Sequence, residues 1–311
     1  MIKITILILL FPFFVHSQQC APCEVIANPG METTSIKSSW PNIKNKSIVK
    51  INSLINIIYE NEDDYWEQWR MPSWWMKEGR DPWTVDPIWG DGYIEPDLNF
   101  DSCVKDNLRW KCGYSFVLRF PENFRKNKKY PLVIFLHGGI NSNPRKLNSR
   151  ILTVNSFFIP ENDQYIIASP IKLGIDWSPK KIQDVIADIE SQLKIDKKRI
   201  YLTGLSMGGR GTFIVAAELP DLFAAIMPLS PHHTPYSYLN LASKVSHLPI
   251  FLHHSTNDKT SKFSVAEKMS DELKKLNANM LFDIGNFGHY GWNKIYKNPE
   301  NINWLISWKK E

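Results

Sequence analysis

The 311-residue chain has no hydrophobic run long enough to span a bilayer. Its longest, Ile4–Val15, is apolar but for Thr5 and is broken by Pro12. As a helix it measures about 18 Å, against about 30 Å of hydrocarbon. Lys3 precedes the run, and Val15-His16-Ser17 offers small residues for a cut before Gln18. The segment therefore reads as a cleaved signal peptide over residues 1–17 rather than an anchor. A secreted or periplasmic protein with no stable membrane insertion is expected. Blocks of like charge are also missing, and a net charge of +5 over this length leaves no footprint for nucleic acid. No internal repeat or low-complexity segment is present. Hydrophobic residues at 43% and charged residues at 22% exclude wholesale disorder.

Metal-ligand spacings are absent as well. There is no HExxH, and Cys20-x-x-Cys23 has no second CxxC or nearby His to complete a cage. His232-His233 and His253-His254 are adjacent pairs, and neighbours on a strand point to opposite faces. No metal and no cofactor are expected. The four cysteines, Cys20, Cys23, Cys103 and Cys112, all fall in the first 112 residues. In an exported chain an even number points to structural disulfides whose pairing is left open.

The chain divides by texture. Residues 18–112 form a Trp-rich, Cys-containing extension with little periodicity, apart from Ile48–Tyr59, which reads as a possible helix. Residues 113–311 alternate apolar runs with amphipathic stretches, the pattern of a doubly wound, mostly parallel α/β sheet. Strands are expected at Tyr114–Phe120, Pro131–Leu136, Tyr165–Ala168, Arg199–Thr203, Phe223–Met227, Pro249–Leu252 and Asn279–Ile284. Helices are expected around Ile182–Leu193, Met207–Glu218, Ser264–Leu276 and Ile302–Trp308. Sheets of this kind carry their sites at the carboxyl ends of the strands.

The chemistry concentrates there. Gly204-Leu205-Ser206-Met207-Gly208 directly follows a strand and opens a helix. A serine hydroxyl is a weak nucleophile that needs a tight turn to present it and a base to deprotonate it. His137-Gly138-Gly139 ends another strand, and glycine lets a backbone N–H approach a tetrahedral oxyanion. The amides of Gly139 and Met207 are the expected oxyanion donors, and His137 is expected to be structural. Asp258 and then His289 follow the serine, each on a loop after its own strand. Acid and base in that order complete a Ser–Asp–His set, with Asp283 a weaker candidate for the acid.

Tyr130–Gly139, Tyr201–Gly209 and Gly288-His289-Tyr290-Gly291-Trp292 resemble the α/β-hydrolase esterases, in the branch of feruloyl-esterase-like, polyhydroxybutyrate-depolymerase-like and predicted-peptidase serine hydrolases. The resemblance covers residues 113–309. It implies an α/β-hydrolase fold with Ser206 as nucleophile, Asp258 as acid, His289 as base, and Gly139 with Met207 at the oxyanion hole. One departure is His254-Ser255, where the family commonly has His-Gly ahead of the acid. Residues 24–112 lie outside the resemblance.

Six of the 12 tryptophans lie between Trp66 and Trp89, either as a carbohydrate-facing lid or as packing for an irregular segment. Trp177 and Trp292 are expected as substrate-pocket walls. The reading is an exported serine carboxylesterase acting on small-molecule or polysaccharide-linked esters, with acyl or feruloyl esters of plant polysaccharide implied by the resemblance and the Trp content. The alternatives are a serine peptidase on the same fold and a non-catalytic carbohydrate-binding protein.

Overall fold

The computed structural model describes residues 35–43, 48–56, 114–139, 152–171, 177–233 and 237–311. The expected signal peptide, the four cysteines and Trp66–Trp89 lie outside the described residues. Among the described residues nine strands form one sheet: β1 (Ser35–Ser39), β2 (Ile48–Asn56), β3 (Ser115–Arg119), β4 (Tyr130–Leu136), β5 (Ile166–Ile171), β6 (Ile195–Leu205), β7 (Ala225–Leu229), β8 (Ile250–Ser255) and β9 (Met280–Gly285). Their order across the sheet is β1-β2-β3-β5-β4-β6-β7-β8-β9. The pairs among β1, β2, β3 and β5 are antiparallel, and every pair from β5 through β4 to β9 is parallel.

The helices are α1 (Pro179–Gln192), α2 (Met207–Glu218), α3 (Ala242–Val245), α4 (Phe263–Lys275), α5 (Trp292–Lys297) and α6 (Pro299–Ser307). They cover both faces, which is why β4 is apolar at every position. Leu132, Ile134 and Leu136 pack into one core with α1, α2 and α4, while Val133 and Phe135 pack into a second with α5 and α6. The start of α1 combines Ser178, whose side chain accepts from the Lys181 amide, with Pro179 in the first turn. Its Ile182, Val185, Ile186 and Ile189 stripe is the one legible in the sequence, and it lies against the sheet. By contrast, α2 is buried along nearly its whole length, so it shows no amphipathic stripe. Among the described residues, no helix is long and apolar enough to cross a membrane.

The segment expected as a helix at Ile48–Tyr59 is instead β2 over Ile48–Asn56. Val49 and Ile51 are buried and Lys50 is exposed, a period of two. Pairing with β3, from Ile48↔Arg119 to Ile51↔Phe116, decides the matter. The sheet thus draws strands from both sides of residue 112. The strand expected at Phe223–Met227 runs over Ala225–Leu229, because its register is set by pairing with β6 from Tyr201↔Ala225 to Leu205↔Leu229. The last helix starts earlier than its apolar positions indicate, at Pro299, where Asn298 accepts from the Glu300 amide. The short α5 has too few residues to show a periodicity.

Gly211 of α2 packs directly on the Trp177 indole, and a Cβ there would lie 2.8 Å from Trp177 Cγ. Gly211→Ala is expected to destabilise the protein by about 1–3 kcal/mol through overpacking. An unchanged urea midpoint in the variant would show that the indole gives way freely.

Candidate active site

The strand β6 ends at Leu205 and α2 begins at Met207, so one residue makes the turn between them. That residue, Ser206, has φ 57° and ψ −116°, a left-handed conformation that costs a non-glycine residue about 1–3 kcal/mol. The glycines around it explain how the turn is made. A Cβ on Gly204 would lie 2.8 Å from the Leu136 carbonyl oxygen, and one on Gly208 would lie 2.6 Å from the His137 oxygen. On Gly209 it would lie 2.6 Å from the Leu229 oxygen. The ends of β4, β6 and β7 and the start of α2 therefore approach more closely than side chains permit. Backbone bonds then hold the serine: its N–H donates to Leu229 O at 2.9 Å, and its carbonyl accepts from His232 N at 2.9 Å.

The side chains of Ser206, His289 and Asp258 form one hydrogen-bonded chain. His289 Nε2 lies 2.9 Å from Ser206 Oγ, and His289 Nδ1 lies 2.7 Å from Asp258 Oδ2. The network assigns the proton: Nδ1–H donates to the carboxylate, which leaves Nε2 to accept from the serine hydroxyl. Asp258 has a fully buried side chain. Its other oxygen, Oδ1, accepts from the Thr260 and Ser261 amides at 2.8 Å each. Asp258 thus shapes its own turn with one oxygen and holds the imidazole with the other.

His254 also reaches Asp258, with Nε2 3.4 Å from Oδ2 and 3.1 Å from Ser261 O. Burial pushes the Asp258 carboxyl up, but the hydrogen bonds from His254, His289 and the Ser261 amide outweigh it and hold the group well below the usual carboxylate range. Such a group contributes stability above its unfolded value of about 4. That contribution is lost progressively as pH falls from there through the lower folded value.

Asp283, the competing acid, has a different partner. It accepts from His253 Nδ1 at 2.6 Å across the β8–β9 pair. His253 and His254 point to opposite faces of β8, as adjacent strand residues must. His232 and His233 do not: they lie in the loop after β7 with their rings stacked at 5.5 Å, because no strand geometry separates them. Among the described residues no group of three or more His, Cys, Asp or Glu is placed to hold a metal.

His137 is buried, with Nδ1 2.7 Å from Gly138 O. Gly138 passes Ser206 so closely that a Cβ on it would lie 3.4 Å from the serine Cβ. This brings the Gly139 loop beside the nucleophile, while Met207 supplies the first amide of α2, one of those a helix leaves without an internal acceptor. Both expected wall tryptophans are buried, in different surroundings. Trp177 is 1% exposed and packs between Tyr114, His137 and Gly211, so its ring belongs to the core rather than to an open wall. Trp292 stands edge-on to the His289 ring at 5.0 Å. Beside it Tyr290, 68% exposed, also meets the imidazole edge-on at 5.3 Å. In the sequence His254, on β8, stands out only as one of a histidine pair and Tyr290 only as part of the Gly288–Trp292 motif, so neither is marked there as a site residue.

The Dienelactone hydrolase family model matches residues 171–289, a span that holds Ser206, Asp258 and His289. A thermostable esterase of known structure superposes with a TM-score of 0.52 at 24% identity, covering 63% of this chain and 60% of its own. The chain has an α/β-hydrolase-like fold. The chain is also similar to the bifunctional acetylxylan esterase/xylanase XynS20E of Neocallimastix patriciarum, 28% identical over 193 residues, or 58% of this chain and 27% of the relative. "Probable feruloyl esterase C" of Aspergillus terreus is 23% identical over 192 residues, 56% of this chain and 65% of the relative. The matched region spans less than two thirds of either relative.

Because Asp258, not Asp283, holds the imidazole, Asp258→Asn is expected to lower kcat on an activated ester by about 10⁴-fold with KM little changed. Asp283→Asn should leave kcat near the wild-type value. Equal losses in the two variants would remove the acid role from Asp258.

Proposed function

We propose that this chain is a serine esterase working through an acyl-enzyme on Ser206. The observation that carries the reading is the unbroken chain Asp258–His289–Ser206, with bonds of 2.7 and 2.9 Å, at the carboxyl ends of β8, β9 and β6. Ser206 Oγ attacks the ester carbonyl as its proton passes to His289 Nε2. Asp258 stabilises the imidazolium and keeps the ring in register. The amides of Gly139 and Met207 receive the oxyanion, and the tetrahedral intermediate collapses as His289 protonates the departing alcohol. A water then takes the place of the alcohol: it attacks the acyl carbon as His289 draws its proton, and His289 returns that proton to Ser206 Oγ as the bond to the acyl group breaks and the acid leaves. No resident cofactor enters these steps. Removal of a leader before Gln18 and disulfides among the four cysteines belong to the same proposal of an exported enzyme.

The substrate class follows from the alcohol side. His289 gives its proton to the leaving oxygen, so side chains bordering the imidazole on its open side face the alcohol rather than the acyl group. Among the described residues Tyr290 is an exposed aromatic beside the imidazole, and aromatic faces suit sugar rings. Together with the acetylxylan and feruloyl esterases among the similar proteins, this supports acyl or feruloyl esters linked to polysaccharide as substrates.

Hydrolysis of p-nitrophenyl acetate by wild type and Ser206→Ala tests the nucleophile: the variant should lose several orders of magnitude, on the order of 10⁴-fold or more. Equal rates in both proteins would sink the serine mechanism, and peptide amides cleaved as fast as esters would make the protein a peptidase. For the alcohol side, Tyr290→Ala should lower kcat/KM on acetylated xylo-oligosaccharides by about tenfold while sparing p-nitrophenyl acetate. A parallel loss on both substrates would count against a sugar contact.

A further inference from the structure

Acid and base both lie beyond the end of the strand pair that carries them. The parallel β8–β9 ladder closes at Ser255↔Gly285. One more backbone bond follows, from Thr256 N to Gly285 O at 2.9 Å. The Phe287 amide then donates to the Ser255 hydroxyl at 3.3 Å. Past that point the two loops are joined by the side chain of Asn257. Its Nδ2 donates to Asn286 O at 2.8 Å, and its Oδ1 accepts from Gly288 N at 2.8 Å.

A carboxamide carries the same donor and acceptor as a peptide group, so Asn257 supplies the rung that the diverging backbones no longer make. The rung ends on the residue just before the base. Gly288 has φ +68°, and a Cβ built on it would meet nothing within 4 Å. Its conformation is thus the most permissive in the loop and is not wedged by neighbours. The Asn257 bond fixes its amide, while Asp258, the next residue along from Asn257, fixes the imidazole that follows.

We infer that Asn257 is a positioning residue, which holds His289 in register between Asp258 and Ser206 by bonding the loop on either side of Phe287. The inference rests on the serine esterase reading above. Asn257 and the bonds it makes are exposed, so water can satisfy the two backbone groups if the side chain is removed, and the fold loses little. Catalysis is more sensitive, because a misplacement of about 1 Å can cost about 10²-fold in rate.

Asn257→Ala, wild type and Ser206→Ala are compared with p-nitrophenyl acetate for kcat, KM, the pH profile and Tm. For Asn257→Ala, kcat should fall by about 10- to 100-fold with KM unchanged. Tm should stay within a few degrees. The acid limb of the kcat/KM profile should move to lower pH, because the imidazolium loses part of the carboxylate contact that stabilises it. A purely structural asparagine would not move that limb. A kcat within twofold of wild type, an unmoved acid limb, or a loss of activity that tracks a large fall in Tm overturns the positioning role. Wild-type turnover in Ser206→Ala would instead overturn the esterase reading, so the two failures are distinguishable.

Discussion

The site depends on how closely the backbones of β4, β6, β7 and α2 approach one another around Ser206. Glycines at 204, 208 and 209 stand where a single methyl group would strike a carbonyl of a neighbouring element. That approach forces the turn from strand to helix through one residue and holds its φ positive. The strain is local and is offset by the packing of α2, which is buried nearly all round. Ser206 is therefore held at the helix N-terminus by the same contacts that build the centre of the sheet.

Charge is the second constraint. A buried carboxylate would ordinarily be driven toward its neutral form, and a neutral acid holds an imidazolium poorly. Asp258 avoids this because two amides of its own turn and two imidazoles converge on it. The turn that shapes the loop and the electrostatics that serve the base are one arrangement. His254 takes part in it from β8, although the family resemblance marks its surroundings, with Ser255 in place of glycine, as the point of departure.

The base side combines local contacts with longer-range ones. The aromatic neighbours Trp292 and Tyr290 stand edge-on to His289, and Phe287 stacks on His253, which is bonded to Asp283. Asp283 and Asp258 thus meet different histidines, His253 for the first and His254 with His289 for the second. The pairing is decided by position along the sheet: Asp283 lies on β9 opposite His253, whereas Asp258 and His289 lie on loops past the strand ends.

The local signals were legible from residue order alone: the apolar run of β4, the glycine-spaced serine between a strand and a helix, the stripe of α1, and acid before base in the chain. These depend on neighbours a few residues apart, so periodicity and turn chemistry expose them. The tertiary structure decided what needs a distant partner. Ile48–Asn56 is a strand because β3 lies beside it, and Trp177 faces inward because Gly211 leaves room for its ring. Asp258 rather than Asp283 meets His289, and Asn257 spans two loops, because β8 and β9 are paired in one register. Hydrogen-bond partners across a sheet are set by strand pairing and side-chain direction, and neither is written in the spacing of a single chain segment.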